Sequence, residues 1–475
     1  MPVDRSRLPA LGPDPSIAFP PFVRHRLDNG LDVWTVEHRD LPVLSLGLLL
    51  PVGASGDPAD RPGLAAFTAD MLDEGTRTLD AMALHDRLAR MGAQLETEVG
   101  SDAQLLSLGT LARFAKEALA LLAEIIKQPR FDPEDVRRVR ALRLSRLMQL
   151  RDAPAALAER LFTARLYGSH AYGHTPLGTE ASLSAIKVEE LRQFHERSWQ
   201  NSRPILIAVG DASHAELRAL AAETFADAGD WRALPEGEQK VELDELFDTF
   251  PRLPGAPTTG PRLMVIDRPG AAQSELRIGR IAAARSSPHY YELNVLNVAL
   301  GGSFVSRINL NLREQRAFTY GARSAFEFRL HPGPFSVQTS VETDATAESI
   351  SEVMREITEI AGPRPISAQE LDRAHAALVR GFPRGFETAD QIARYLTQLA
   401  LHHLPDDHYN QFVPCIKAVT RDEVTRAAQQ YLPPDDMKVI VVGDLARVKD
   451  SLRQLGLGEV AEFPAHADPV LVPVR

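Results

Sequence analysis

Apolar and polar positions begin to alternate at strand period near the first charged cluster. Arg24–Leu27 and Leu31–Glu37 flank Asp28-Asn29-Gly30, and Asn-Gly between alternating apolar positions predicts a tight hairpin. Val43–Val52 is a continuous apolar run, too short to cross a membrane, and predicts a strand buried on most of its surface. Past the break at Gly53–Pro62 the period lengthens. Leu64, Phe67, Met71 and Leu72 share one helical face, which predicts a helix from about Gly63 to Glu74, stopped near Gly75. Further helices are predicted over Ala81–Met91, Phe114–Lys127 and Pro133–Gln149, the last opened by Pro133 in its first turn. Leu105–Leu108 reads as strand.

The pattern then repeats. A helical segment, Val188–Trp199, leads into Pro204-Ile-Leu-Ile-Ala-Val-Gly-Asp211. Near the end, helical Arg421–Tyr431 leads into Met437-Lys-Val-Ile-Val-Val-Gly-Asp444. Helix, polar turn, apolar strand and Gly-Asp recurring at long period imply two related domains. Between them Pro235–Pro261 is rich in proline, glycine and acid. Glu236–Asp248 carries six acids against Lys240 alone, a linker signature. The expectation is an extended arm over 1–21, domains over 22–235 and 262–475, and an acidic linker over 236–261. Strands in hairpins followed by helices in pairs predict an α+β fold, each domain a mostly antiparallel sheet with helices on one face, rather than a doubly wound parallel sheet.

A chain of 475 residues is too long for one compact core. Its net charge of -11 argues against a nucleic-acid binder, which needs a basic stripe to neutralise phosphates. Cys415 is the only cysteine, so neither an intrachain disulfide nor a cysteine zinc site can form. A reducing compartment fits, and the cytoplasm is expected, or the periplasm if a signal peptide has been removed. Met1–Pro21 is proline-rich and lacks the apolar core of such a peptide. No apolar run reaches a membrane span.

Three stretches carry a resemblance. The first is Leu27-Asp-Asn-Gly-Leu31 with the strand ending Val52-Gly53-Ala54. The second is Gly63-Leu-Ala-Ala-Phe-Thr-Ala-Asp-Met-Leu-Asp-Glu-Gly-Thr76. The third is Leu300-Gly-Gly-Ser-Phe-Val-Ser-Arg307 running into Leu312-Arg313 and Tyr320-Gly321. In that order, over about residues 22–450, the chain resembles the insulinase, pitrilysin and mitochondrial-processing-peptidase family. Active members carry His-x-x-Glu-His on the helix of the second stretch. Two imidazoles four positions apart grip one zinc, and the glutamate between them acts as base. Here the positions hold Ala66, Ala69 and Asp70. A third ligand, a glutamate, is implied on the helix matching Pro133–Gln149. Its frame falls on Ser145 or Arg146, and Val136–Arg151 contains no acid at all.

The resemblance therefore implies no zinc on this chain and no peptidase activity by it alone. In the third stretch the family sets an arginine and, seven residues later, a tyrosine facing the zinc across a closed chamber. Arg313 and Tyr320 keep that spacing. They are implied to bind substrate, the arginine at a carbonyl and the tyrosine hydroxyl at the oxyanion formed in hydrolysis. Read without the motif around them, they would be a helix-surface charge and a strand core residue. A metal site lost beside a retained donor pair implies a heterodimer with a zinc-bearing homologue, closing on an unfolded peptide laid along a sheet edge.

Other constellations fall to plainer readings. His170-Ala-Tyr-Gly-His174, flanked by Gly168 and Pro176, reads as a structural loop. His402-His403 with His408 brackets Pro405-Asp-Asp407 and reads as a turn between helices. Gly301-Gly302 lacks the Gly-Lys-Ser/Thr of a phosphate loop, and Ser303 has no nucleophile context. The arginines of Arg137–Arg151 interleave with leucines as a solvated helix face. The rival function is a scaffold, the role of relatives in the respiratory bc1 complex. An unrelated chemistry in the chamber has no constellation behind it.

Overall fold

The computed structural model describes residues 18–232 and 260–464. All but the last two residues of the expected linker lie outside them, as does most of the arm. Among the described residues no helix is long and apolar enough to cross a membrane.

Each half builds one six-stranded sheet. In the first, β1 (Val23–Arg26), β2 (Asp32–Glu37), β3 (Val43–Leu50), β4 (Gln94–Val99), β5 (Gln104–Leu111) and β6 (Ile205–Gly210) lie in the order β1-β2-β6-β3-β5-β4. Only β2 and β6 run parallel. The predicted hairpin is present: Gly30 takes φ +89° and donates its N–H to the Leu27 carbonyl at 2.9 Å. In the second half, β7 (Leu263–Asp267), β8 (Gln273–Ile281), β9 (Ala322–Phe326), β10 (Pro334–Glu342), β11 (Lys438–Gly443) and β12 (Val460–Phe463) lie in the order β12-β7-β11-β8-β10-β9. The five strands other than β12 repeat the first sheet. The edge differs, because β1 joins antiparallel to β2 whereas β12 joins parallel to β7.

The helices repeat as well. The first half carries α1 (Leu64–Asp70), α2 (Ala81–Arg90), α3 (Ala115–Lys127), α4 (Pro133–Arg151), α5 (Pro154–Tyr167), α6 (Glu180–Ala185), α7 (Val188–Gln200) and α8 (His214–Phe225). The second carries α9 (Tyr290–Leu300), α10 (Thr346–Ile360), α11 (Ala368–Gly381), α12 (Ala389–Leu401), α13 (His408–Ala418), α14 (Arg421–Tyr431) and α15 (Leu445–Arg453).

The expectation of helices on one sheet face is met by each half's own helices, but the opposite face is covered too. On β6, Leu206 and Ala208 join the core that contains α3 and α8. Ile207 and Val209 join Ile392, Leu396 and Leu399 of α12, a helix of the other half. Reciprocally, Ile440 and Val442 of β11 meet Leu157, Leu161 and Phe162 of α5. Each half thus lends one helix to its neighbour's sheet. Strands covered on both sides need apolar residues at every position, which is why β6 and β11 read as unbroken apolar runs. Polar contacts follow the exchange: Arg277 Nε reaches Glu159 Oε2 at 3.2 Å, and the Leu330 N–H donates to Asp102 Oδ2 at 2.9 Å.

Phe162 is 1% exposed, and its ring lies 2.9 Å from where a Cβ on Gly279 would stand. Phe162→Ala removes a fully buried aromatic contact of α5 with the second sheet. It is expected to cost about 3–5 kcal/mol, and calorimetry should still show one transition for both halves. Two separate transitions in the wild-type chain would refute this coupling.

Candidate functional site

Helix α1 is fixed at both ends. The buried Asp57 carboxylate accepts the N–H groups of Gly63 and Ala65, each at 2.6 Å. His174 Nε2 lies 3.1 Å from the same carboxylate and 3.0 Å from the Ala54 carbonyl. Gly63 takes φ +94°, and a Cβ there would stand 2.8 Å from Gly178 Cα, so the helix starts hard against that loop. Ala66 and Ala69 are buried methyls with no donor atom to offer. Asp70 Oδ2 is held by Arg143 Nη1 at 2.5 Å.

Arg143, from α4, is buried and also donates to the carbonyls of Pro176 at 3.0 Å and Leu177 at 3.2 Å. The position of α4 that meets Asp70 is therefore Arg143. Of the two positions given by the sequence frame, Ser145 is half-buried and Arg146 is exposed. One turn on, Glu74 pairs with Arg138 of the same helix. Burial and the charge of Glu74 push the Asp73 carboxyl up to about 6. This donor set does not fit a zinc ion: two methyls and one carboxylate already neutralised by a guanidinium. Among the described residues no three His, Cys, Asp or Glu side chains gather as a metal site.

The third stretch is built differently. Gly301 and Gly302 end α9 against β9, where a Cβ on Gly301 would stand 2.5 Å from Ser324 Oγ and one on Gly302 2.9 Å from the Asn297 carbonyl. Their role is close packing. A helical turn, Arg307–Asn309, then leads into a π-helical segment, Leu310–Gln315. Arg307 is buried and bidentate to Glu370, at 2.6 and 2.8 Å. Burial alone would raise the Glu370 carboxyl, but Arg307 and the Ser367 N–H and hydroxyl hold it down to about 2. Asn309 donates to the Phe304 carbonyl at 2.7 Å and accepts the Ala322 N–H at 2.9 Å, tying the glycine loop to the strand after Tyr320. Thr319 Oγ1 donates toward the Gly321 carbonyl at 3.0 Å and the Ser340 carbonyl at 2.7 Å.

On this frame Tyr320 is 93% exposed, so it is not a core residue. Arg313 lies 4.3 Å over the Phe304 ring. Its Nη1 is 3.3 Å from Glu314 Oε1 but poorly aligned, and is buried without a hydrogen-bond acceptor. Phe304 and Val305 are themselves exposed. Sequence reasoning passed over this pair. Two large apolar residues one position beyond a double glycine were the available signal.

Residues 33–180 match the insulinase (peptidase family M16) model, and residues 185–378 match the peptidase M16 inactive domain model. The chain belongs to peptidase family M16. It is 26% identical to an uncharacterised zinc protease of Mycobacterium leprae, over 91% of this chain and 94% of that one. It is 24% identical to a non-peptidase homologue, YmxG, of Helicobacter pylori, over 87% and 92% of the two chains. A peptidase M16 inactive domain structure from Pseudomonas fluorescens superposes with a TM-score of 0.79 at 25% identity, covering 89% of this chain and 98% of that one. A Helicobacter pylori protease shares the fold with a TM-score of 0.77 at 17% identity, covering 89% and 99%.

Within this M16 chain the histidine constellations serve packing. His170 Nδ1 accepts the Tyr172 N–H at 3.0 Å, and His174 braces Asp57. His402 and His403 end α12, His403 with φ +49°, and His408 opens α13.

Two variants probe these frames. Arg143→Met leaves the Asp70 carboxylate and two carbonyls without their donor, and is expected to lower stability by about 2 kcal/mol. Unchanged urea unfolding at neutral pH would refute that role. Because the Glu370 carboxyl is depressed in the folded chain, its contribution is complete above about pH 4.5 and is lost as pH falls through about 2. Glu370→Gln should therefore lower the melting temperature at pH 7 and progressively less towards pH 2–3. An equal loss at both pH values would contradict the assignment.

Proposed function

We propose that this chain is the non-catalytic, substrate-binding subunit of a heterodimeric M16 zinc metallopeptidase, and that Arg313 and Tyr320 are its contribution to peptide bound at the partner's zinc. The observation that carries the reading is Tyr320: an exposed phenol on a backbone held from both sides by Asn309 and Thr319. The fixed backbone presents the exposed phenol from a defined point, where its hydroxyl is free to act as a donor. Arg313 supports it with an Nη1 that is ion-paired to Glu314 at 3.3 Å but has no hydrogen-bond acceptor among the described residues. A substrate carbonyl would supply one. The arginine would then hold the peptide in its ground state, and the hydroxyl would meet the oxygen that gains charge as the carbonyl carbon is attacked. The zinc ion belongs on the partner in this reading, since the positions here offer Ala66, Ala69 and an Asp70 engaged by Arg143.

The rival reading is an M16-derived scaffold with no part in proteolysis. The name of the Helicobacter pylori relative, a non-peptidase homologue, favours it. One set of measurements separates the two. The isolated chain should hold no stoichiometric zinc by elemental analysis and cleave no peptide, with cleavage appearing on mixing with a zinc-bearing homologue. In that complex Tyr320→Phe should leave melting temperature and association unchanged and lower kcat/KM by roughly 10- to 1000-fold. Arg313→Ala should act similarly with a larger share in KM, and neither should alter zinc content. Full cleavage by both variants in an intact complex would favour the scaffold.

A further inference from the structure

Where the end of α12 meets the β1 side of the first sheet lies a cavity of about 320 Å³. Arg24, Arg26, Trp34 and Arg203 line it from the first half, and Leu399 and His403 from the second. Two of its three guanidinium groups are matched. Arg24 pairs with Asp406 and lies 4.1 Å over the Trp34 ring, which sets its place. Arg26 chelates Asp32, itself on the wall, with Nε–Oδ1 at 2.9 Å and Nη2–Oδ2 at 3.2 Å.

Arg203 is not matched. It makes no hydrogen bond or ion pair among the described residues, and its Nε is buried without an acceptor. Its backbone is held by Pro204, which restricts the residue before it to extended conformations, and by the entry into β6. A guanidinium taken partly out of water without a counter-charge is destabilising by itself. The fixed fork of N–H donors suits an oxyanion, which it can take through two parallel bonds.

We propose that this cavity binds a small oxyanion, phosphate or carboxylate, with Arg203 as the principal donor. Asp406 and Asp32 engage Arg24 and Arg26, whereas Arg203 has no carboxylate partner among the described residues, and a bound anion would supply one. The site touches both halves, so its occupant ties the end of α12 to the first sheet, independently of Arg313 and Tyr320.

The test is titration calorimetry and thermal melting of the full chain. Inorganic phosphate, a phosphate monoester and a dicarboxylate are each compared with chloride at equal ionic strength. At least one should bind saturably with one-to-one stoichiometry and raise the melting temperature. Binding of the monoester alone would assign the site to an organic phosphate, and of the dicarboxylate alone to an organic acid. Arg203→Ala should weaken binding by at least about tenfold without lowering the anion-free melting temperature. Arg39→Ala, an exposed arginine paired with Glu37, should bind as wild type. The proposal fails if none of the three anions gives saturable heat, if Arg203→Ala binds unchanged, or if that variant melts lower without anion, which would mark Arg203 as merely structural.

Discussion

The reciprocal loan of α5 and α12 is the constraint on which the rest of the molecule depends. Each sheet has two apolar faces, and its own helices cover one of them. Without the borrowed helix, Ile207 and Val209 in one half, and Ile440 and Val442 in the other, would face water. The two halves therefore share apolar packing on both sheets and are not domains in casual contact. That rigidity matters for the candidate site, because the frame around Tyr320 hangs on β9 and β10 of a sheet whose far face is closed by the first half.

In the first half, a side chain joins the two helices on which the metal ligands of the resemblance would fall. A zinc ion in such a site would draw α1 and α4 together. Here Arg143 joins the same two helices through Asp70 and adds the carbonyls of Pro176 and Leu177. One positive charge with directional donors does the joining. Its exposed partner makes the pair modest in strength, so the apolar packing of Phe67, Val139 and Leu147 still dominates the contact.

Much of this was legible in the sequence. The hairpin at Asn29-Gly30, the run at β3, the helices from α1 to α4 and the repeated Gly-Asp strands all follow from period and turn chemistry. The strand β4 was missed although Leu95, Thr97 and Val99 alternate with polar residues, a short half-buried face at a sheet edge. The helix exchange was out of reach for a different reason. Periodicity marks which face of α12 is apolar, but not whose sheet it covers. For the site, the emptied positions 66, 69 and 70 needed only reading. Arg143 needed the rotation of α4, and the exposure of Tyr320 needed the side chain of Asn309, whose bond to the Ala322 N–H spans 13 residues.

The unequal edges of the two sheets have a consequence of their own. The slot beside β2 is filled by the chain's beginning, running antiparallel, and the slot beside β7 by its end, running parallel. Halves built on one plan invite mispairing, since either terminal segment meets a similar vacant edge during folding. Polarity labels the ends. A β1 segment docked on β7 in the orientation that β12 takes would meet the slanted, evenly spaced ladder of a parallel pair, with none of the paired bonds of its own antiparallel hairpin. A duplicated fold thereby keeps its two halves distinguishable to its own chain, through strand direction alone.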